Sequence, residues 1–266
     1  MKIKANTKHK PVFWLAGDST MQSYTEAMRP QWGWGECLLS TLEEKFVEMV
    51  RNDMLQEGVM GFSVVPYVAR VQAFHRDSCP FMQQKRYVGR YFELDNCAMA
   101  GRSSKTFREE GRLADMEQHM KNGDYMLIQF GHNDCARQKP ERYVALSDYK
   151  ASLATYVEMA VRHGVTPILL SSIAICPSQD VLGDEVEEIT KQLPRYASVM
   201  EEYAKEQQIL YINVYHLTYQ YLQSMTIQEA EAMYLPDHVH LTFEGAQHYA
   251  ELVAEQLKEV LRRTKY

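Results

Sequence analysis

The sequence has no C-x-x-C pair, and its cysteines are odd in number: Cys37, Cys79, Cys97, Cys135 and Cys176. A disulfide framework calls for an even set and a thiolate zinc site for close pairs, so the thiols are expected to be free and mostly buried. Positive charge is not in excess either. The formal net charge is -6, which gives little global attraction for a phosphate backbone and argues against a nucleic-acid partner. No apolar run approaches the roughly 20 residues that a membrane-spanning helix needs. The N-terminal MKIKANTKHKPVFWLAGDST is basic, but its apolar run Val12–Ala16 is too short for a signal peptide and no small-residue cleavage site follows. With Met1 at its head, the chain reads as cytoplasmic, with no membrane partner. Internal repeats are absent. So is the Gly-x-Ser-x-Gly pentapeptide, which removes support for an ordinary α/β-hydrolase.

What remains is ordinary globular material: 266 residues, 45% hydrophobic and 24% charged, enough for one domain of 1–266 with a sizeable core. Pro11–Ala16, Tyr91–Ala98, Asp124–Phe130, Thr166–Ser171 and Ile209–Val214 read as buried strands. Glu36–Val50, Asp148–His163 and Gln192–Gln208 have helical spacing, the last with Pro194 tolerable only in its first turn. A final helix follows Leu241, with Thr242 as N-cap and an apolar stripe through Ala246, Tyr249, Ala250, Val253, Leu257, Val260 and Leu261. Strands alternating with helices predict a parallel sheet covered on both faces, with its site outside the carboxyl ends of the strands. Asn52–Arg90 fits no period. Rich in Met, Phe and Tyr, with Gly61, Pro66 and Pro80 interspersed, it reads as an insertion packed on the domain.

Three clusters carry chemistry. Gly17-Asp18-Ser19-Thr20 follows the first strand, where a serine hydroxyl becomes a nucleophile if a base takes its proton. Gly131-His132-Asn133-Asp134 follows the Asp124–Phe130 strand, and the Asn133 amide can donate to a developing oxyanion. Asp237-His238-Val239-His240 precedes the final helix. A carboxylate three residues before an imidazole can take its Nδ1–H, leaving Nε2 to accept the serine proton; His238 is the competing base, with poorer geometry beside Asp237. Each cluster alone reads more readily as a turn or a cap; together, in this order, they are what a serine hydrolase needs. Two other readings use the same residues. A metal-dependent phosphoesterase could draw on Asp18, Asn133, Asp134, His238 and His240, although its first strand would be expected to end in Asp-x-His. A carbohydrate-binding protein could keep the fold without turnover.

GDSTM, QWGWGE (Gln31–Glu36), NCAMAGRSSKTF (Asn96–Phe107), YMLIQFGHND (Tyr125–Asp134) and DHVHLTFEGA (Asp237–Ala246) make the chain resemble the SGNH (GDSL-like) hydrolases, and more narrowly the rhamnogalacturonan acetylesterases. The stretch 52–90 departs from that family. The resemblance implies a flavodoxin-like three-layer α/β/α sandwich around a central five-stranded parallel sheet. It implies Ser19, Asp237 and His240 as the catalytic set, and an oxyanion hole from the Ser19 and Gly101 backbone N–H groups and the Asn133 side chain. It implies no metal and no organic cofactor, and an acetylated carbohydrate as substrate, pectic, xylan-derived or a small ester. Arg102, Trp34 and His132 are the candidates for substrate contact. Arg102, with Lys105 and Arg108, would form a basic patch suited to galacturonate.

Overall fold

The computed structural model describes residues 10–56, 67–76, 79–178 and 182–264. Among them, strands β1 (Val12–Gly17), β2 (Gln72–Phe74), β3 (Lys85–Val88), β4 (Glu93–Asn96), β5 (Tyr125–Gln129), β6 (Thr166–Leu170) and β7 (Leu210–Ile212) form one sheet in the order β2-β3-β4-β1-β5-β6-β7. The five strands β4-β1-β5-β6-β7 are parallel, in the flavodoxin-like order, as expected. The other two were not foreseen: β3 runs antiparallel to β4, and β2 antiparallel to β3. They make the sheet seven-stranded where five were expected.

The strand sequences explain the layering. β1 is buried along its whole length, as a parallel strand covered on both faces must be. Alternate residues go to opposite faces. Phe13 and Leu15 join Leu127, Ile168 and Leu170 beneath helices α1 (Trp34–Gln56) and α8 (Phe243–Thr264). Val12, Trp14 and Ala16 join Met126, Ile128 and Leu169 beneath α4 (Leu146–Arg162) and α5 (Asp184–Gln207). The stripe predicted for the last helix is the one α8 buries, with Val260 half-buried at its edge. No helix of the described residues is long and apolar enough to cross a membrane.

The stretch read as an insertion divides. Residues 52–56 finish α1, and β2 and β3 extend the sheet; positions 57–66, 77 and 78, with Gly61 and Pro66, lie outside the described residues. Buried charge fastens the extension. Asp95 on β4 accepts from Gln84 at 2.6 Å and faces Arg76 at 3.2 Å and Arg86 at 3.3 Å. Glu43 of α1 accepts from the Tyr91 and Phe92 N–H groups and from the Tyr67 hydroxyl. Sequence reading also placed the start of α5 too late. The helix begins at Asp184, so Pro194 lies in its interior rather than its first turn. Short helices α2 (Ser104–Glu109), α3 (Arg112–His119), α6 (Val214–Gln223) and α7 (Ile227–Ala232) complete the architecture. All five cysteines are free, and only Cys79 is not fully buried.

The start of α1 is pressed against the segment after β1. A Cβ at Gly33 would lie 2.1 Å from the Gln22 carbonyl oxygen, and one at Gly35 2.3 Å from that of Met21. The QWGWGE glycines are therefore close-approach positions, where backbone meets backbone. Gly33→Ala should cost about 1–3 kcal/mol, since neither partner atom can swing away. Thermal or urea unfolding measures it; an alanine variant as stable as the parent chain would show that the two segments can separate freely.

Candidate active site

The sheet order brings the clusters together. The chain leaves β1 for β4 on one side and returns to β5 on the other, so the carboxyl ends of β4, β1 and β5 are neighbours at the switch point. Ser19 follows β1, Gly101 follows β4 and Asn133 follows β5. The loop carrying His240 arrives from between α7 and α8.

Ser19 sits in a turn tied by its neighbours. The Asp18 carbonyl accepts from the Met21 and Gln22 N–H groups, and Asp18 Oδ1 accepts from the Thr20 N–H and hydroxyl at 3.0 and 2.9 Å. The Ser19 carbonyl accepts from the Tyr24 hydroxyl at 2.8 Å, which in turn accepts from the Gln31 amide. Burial raises the Tyr24 phenol far above its ordinary range, so it remains a donor. Glu36 gathers the entry to α1, accepting from Tyr24 N–H and Gly33 N–H and pairing with Arg29.

The opposing loop is a carboxylate-centred turn. Asp237 Oδ1 accepts from the Val239 and His240 N–H groups at 3.0 and 2.9 Å, and Oδ2 lies 2.6 Å from His240 Nδ1. Burial alone would raise the Asp237 pKa, but the His240 ring and the two backbone donors outweigh it and hold the carboxyl well below the usual range. An ionised carboxylate at Nδ1 selects the Nδ1–H tautomer, which leaves the Nε2 lone pair free. That nitrogen lies 2.9 Å from Ser19 Oγ. His238, the other histidine of the motif, turns away with a left-handed φ of 62°, its carbonyl accepting from Cys176 N–H.

Behind Ser19 the residues around Gly101 are held from two sides. Gln22 Oε1 accepts the Ala100 N–H, and the Asn133 amide donates to the Arg102 carbonyl at 3.0 Å. Gly101 has φ +78°, a conformation that favours glycine. Asp134, fully buried, accepts from the Ser104 N–H and hydroxyl. Burial, helped by the nearby Asp18 charge, pushes its carboxyl up to about 7. Asp18 goes the other way. Burial raises it, but the His132 ring and the Thr20 donors prevail and lower it.

Two of the three expected substrate contacts are corrected by burial. Trp34 is fully buried in the core, its indole N–H donating to Gln129 Oε1 at 2.9 Å, so no sugar can reach it. His132 is buried beneath the nucleophile turn, with Nδ1 3.5 Å from Asp18 Oδ2 and neither ring nitrogen hydrogen-bonded. The Arg102 guanidinium, 29% exposed, is held by both Glu110 oxygens and the Ala100 carbonyl within its own loop. Arg108 likewise turns to Thr155 on α4. Sequence reading passed over Gln22 and Tyr24, which belong to no short motif of their own. Among the described residues, no group of three His, Cys, Asp or Glu side chains is placed to hold a metal ion.

Comparison with known proteins gives the family and the fold. The profile of the GDSL-like lipase/acylhydrolase family matches residues 78–248, a span that begins after Ser19. The chain is 28% identical to the probable rhamnogalacturonan acetylesterase YesY of Bacillus subtilis, over 93% of this chain and 92% of that one. It is 26% identical to the rhamnogalacturonan acetylesterase RhgT of the same organism, over 94% and 91%. Among solved structures, B. subtilis YxiM superposes with a TM-score of 0.67 at 19% identity over 95% of this chain, which spans 57% of YxiM. An acetylxylan esterase from Geobacillus stearothermophilus gives 0.56 at 16% identity, over 96% of this chain and 94% of that one. At these identities the structures speak for the fold.

The raised Asp134 carboxyl has a signed consequence. A carboxyl whose pKa is higher folded than unfolded binds its proton more tightly when folded, so stability falls as pH rises from about 4 to about 7. Asp134→Asn keeps an acceptor for Ser104 and removes that titration. Melting temperatures from pH 4 to 8 should decline less in the variant than in the parent; parallel declines would mean that Asp134 is ionised throughout.

Proposed function

The chain belongs to the GDSL-like lipase/acylhydrolase family, and from that premise we propose that it is a serine esterase that removes O-acetyl groups from carbohydrate, chiefly pectic rhamnogalacturonan oligosaccharides. One observation carries the proposal: Ser19 Oγ, His240 Nε2, His240 Nδ1 and Asp237 Oδ2 form a continuous relay with steps of 2.9 and 2.6 Å. The choice of substrate rests on the curated relatives, YesY and RhgT, whose names carry rhamnogalacturonan acetylesterase activity over nearly the full length of the match.

In this reading His240 takes the Ser19 proton as Oγ attacks the acetyl carbonyl. The tetrahedral oxyanion is met by the Ser19 and Gly101 N–H groups and by the Asn133 amide, which has a second hydrogen beyond the one given to Arg102. His240 then protonates the departing sugar hydroxyl, leaving acetyl-Ser19. Water, deprotonated by His240, attacks that ester, and collapse returns acetate and free Ser19. Asp237 holds the ring orientation and stabilises the imidazolium at each stage.

Acetate release from acetylated rhamnogalacturonan, acetylxylan and p-nitrophenyl acetate, measured side by side, tests both parts. Ser19→Ala and His240→Ala should lose activity on all three while keeping the parent circular dichroism. Asn133→Ala should lower kcat by roughly 10²–10³. Turnover retained by the Ser19 variant would refute the mechanism, and a preference for acetylxylan would replace the substrate.

A further inference from the structure

We propose that Arg142 reads a substrate carboxylate beside the oxyanion glycine, so that the acetyl group removed is carried on a uronate-bearing oligosaccharide. This rests on the esterase reading and adds to it the group that recognises charge.

Arg142 lies in the loop between β5 and α4. That loop is closed by the Val144 N–H donating to the Asp134 carbonyl at 2.9 Å, and its inner turn by Arg142 and Tyr143 N–H groups donating to Lys139. The side chain reaches back to the glycine. A Cβ built on Gly101 would lie 3.3 Å from Arg142 Nη1, and nothing else that is not its chain neighbour comes within 4 Å. The guanidinium thus faces the Gly101 backbone across otherwise open space.

Its own partners are few. Nη1, the atom nearest Gly101, makes no hydrogen bond among the described residues, and unlike the buried Nε it is not sealed from solvent. Its ion pair is with Glu185, through Nη2 at 3.3 Å, and that carboxylate oxygen is closer to Lys139, at 2.6 Å. Glu185 therefore has a better cation, while Arg142 keeps donors in hand from a fork of five N–H groups. Arg102 differs: Glu110 takes its Nε and Nη2 and the Ala100 carbonyl takes Nη1, so three of its five N–H groups are engaged within its own loop. Nη1 of Arg142 thus has hydrogens to give on the side of the oxyanion glycine, and a carboxylate laid against it would accept them in charge-assisted bonds. A uronate sugar carries its carboxylate and its esterified hydroxyls on one ring, so a reader of that charge must stand within a sugar's width of the reacting ester. Gly101 is such a place. A neutral acetylated sugar would leave the same donors unmet, which is how a polar site discriminates.

The test compares a partially O-acetylated oligogalacturonate with the same oligosaccharide after reduction of its carboxyls to alcohols. In Arg142→Gln, the ratio of kcat/KM for the charged over the reduced substrate should fall about 10- to 100-fold, with the loss in KM. Arg142→Lys, which keeps the charge without the fork, should recover part of it. Binding without turnover gives a second reading: trigalacturonate titrated into Ser19→Ala should bind more weakly by a similar factor once Arg142→Gln is added. Equal losses on both substrates would make Arg142 a brace for Gly101 and overturn the proposal, as would unchanged trigalacturonate affinity. Failure of the parent chain to release acetate from any ester would instead sink the esterase reading, and the titration would still judge Arg142.

Discussion

The contact between His240 Nε2 and Ser19 Oγ, 2.9 Å long, joins residues 221 positions apart. Bringing two loops that distant into hydrogen-bond register is opposed by their conformational entropy, so rigid supports must fix both. One short segment does much of this. In Gln31–Glu36, Trp32 N–H donates to the Leu241 carbonyl, next to the histidine, and Trp34 N–H donates to the Thr20 carbonyl, next to the serine, each at 3.0 Å or less. Two successive alternate amides of one strand-like entry to α1 thus span the site from below. Gly33 and Gly35 are glycines because the spacing between these two anchors leaves no room for a side chain against the Gln22 and Met21 backbone.

The layer beneath the site is polar, which is unusual for so buried a region. Asp18, His132, Asp134, Gln129 and Asn96 are all buried, and most of their hydrogen bonds run to loop atoms rather than to one another. Asn96 donates to the Met21 carbonyl and the Ser23 hydroxyl, Asp18 accepts from Thr20, and Asp134 accepts from Ser104. Apolar packing is non-directional and would let the loops slide; buried polar pairs admit one arrangement and penalise the rest. The cost shows in the opposite displacement of the two carboxyls, Asp134 upward and Asp18 downward. Two like charges so deep are not held together; the environment lets one keep its proton more readily than the other.

Legibility from sequence followed the range of the interaction. Ser19, Asp237 and His240 stand in short motifs after strands or before a helix, and the three-residue spacing of Asp237 and His240 is itself a geometric statement, so these positions could be picked out and do come together. β1, β5 and β6 were legible because burial on both faces leaves largely apolar runs, whereas β4 is Glu-Leu-Asp-Asn and was marked mainly by its apolar flanks. β2 and β3 were not legible: they are three and four residues long, and β2 is exposed throughout. The early start of α5 was hidden by an acidic first turn with few apolar residues and by Pro194, which reads as a beginning. Residue type alone misplaced Trp34 and His132, because aromatic and imidazole groups serve core and turn as readily as substrate. Arg142 was invisible for the converse reason: its place beside Gly101 depends on how a loop folds 41 positions away.

Asp237 shows which physical quantity the site is built to control. Its side chain is about half exposed, so its attraction to His240 is screened by water and adds little to the stability of the fold. Yet both its oxygens are committed, one to two backbone N–H groups and the other to the ring. A carboxylate held so firmly for so small an energetic return is constrained for direction. The backbone donors fix the carboxylate, the carboxylate fixes the tautomer and plane of the imidazole, and the imidazole presents one lone pair to one hydroxyl. The stability that holds this chain of orientation comes from elsewhere, from the paired anchors of the α1 entry and the apolar faces of β1, where water does not weaken it.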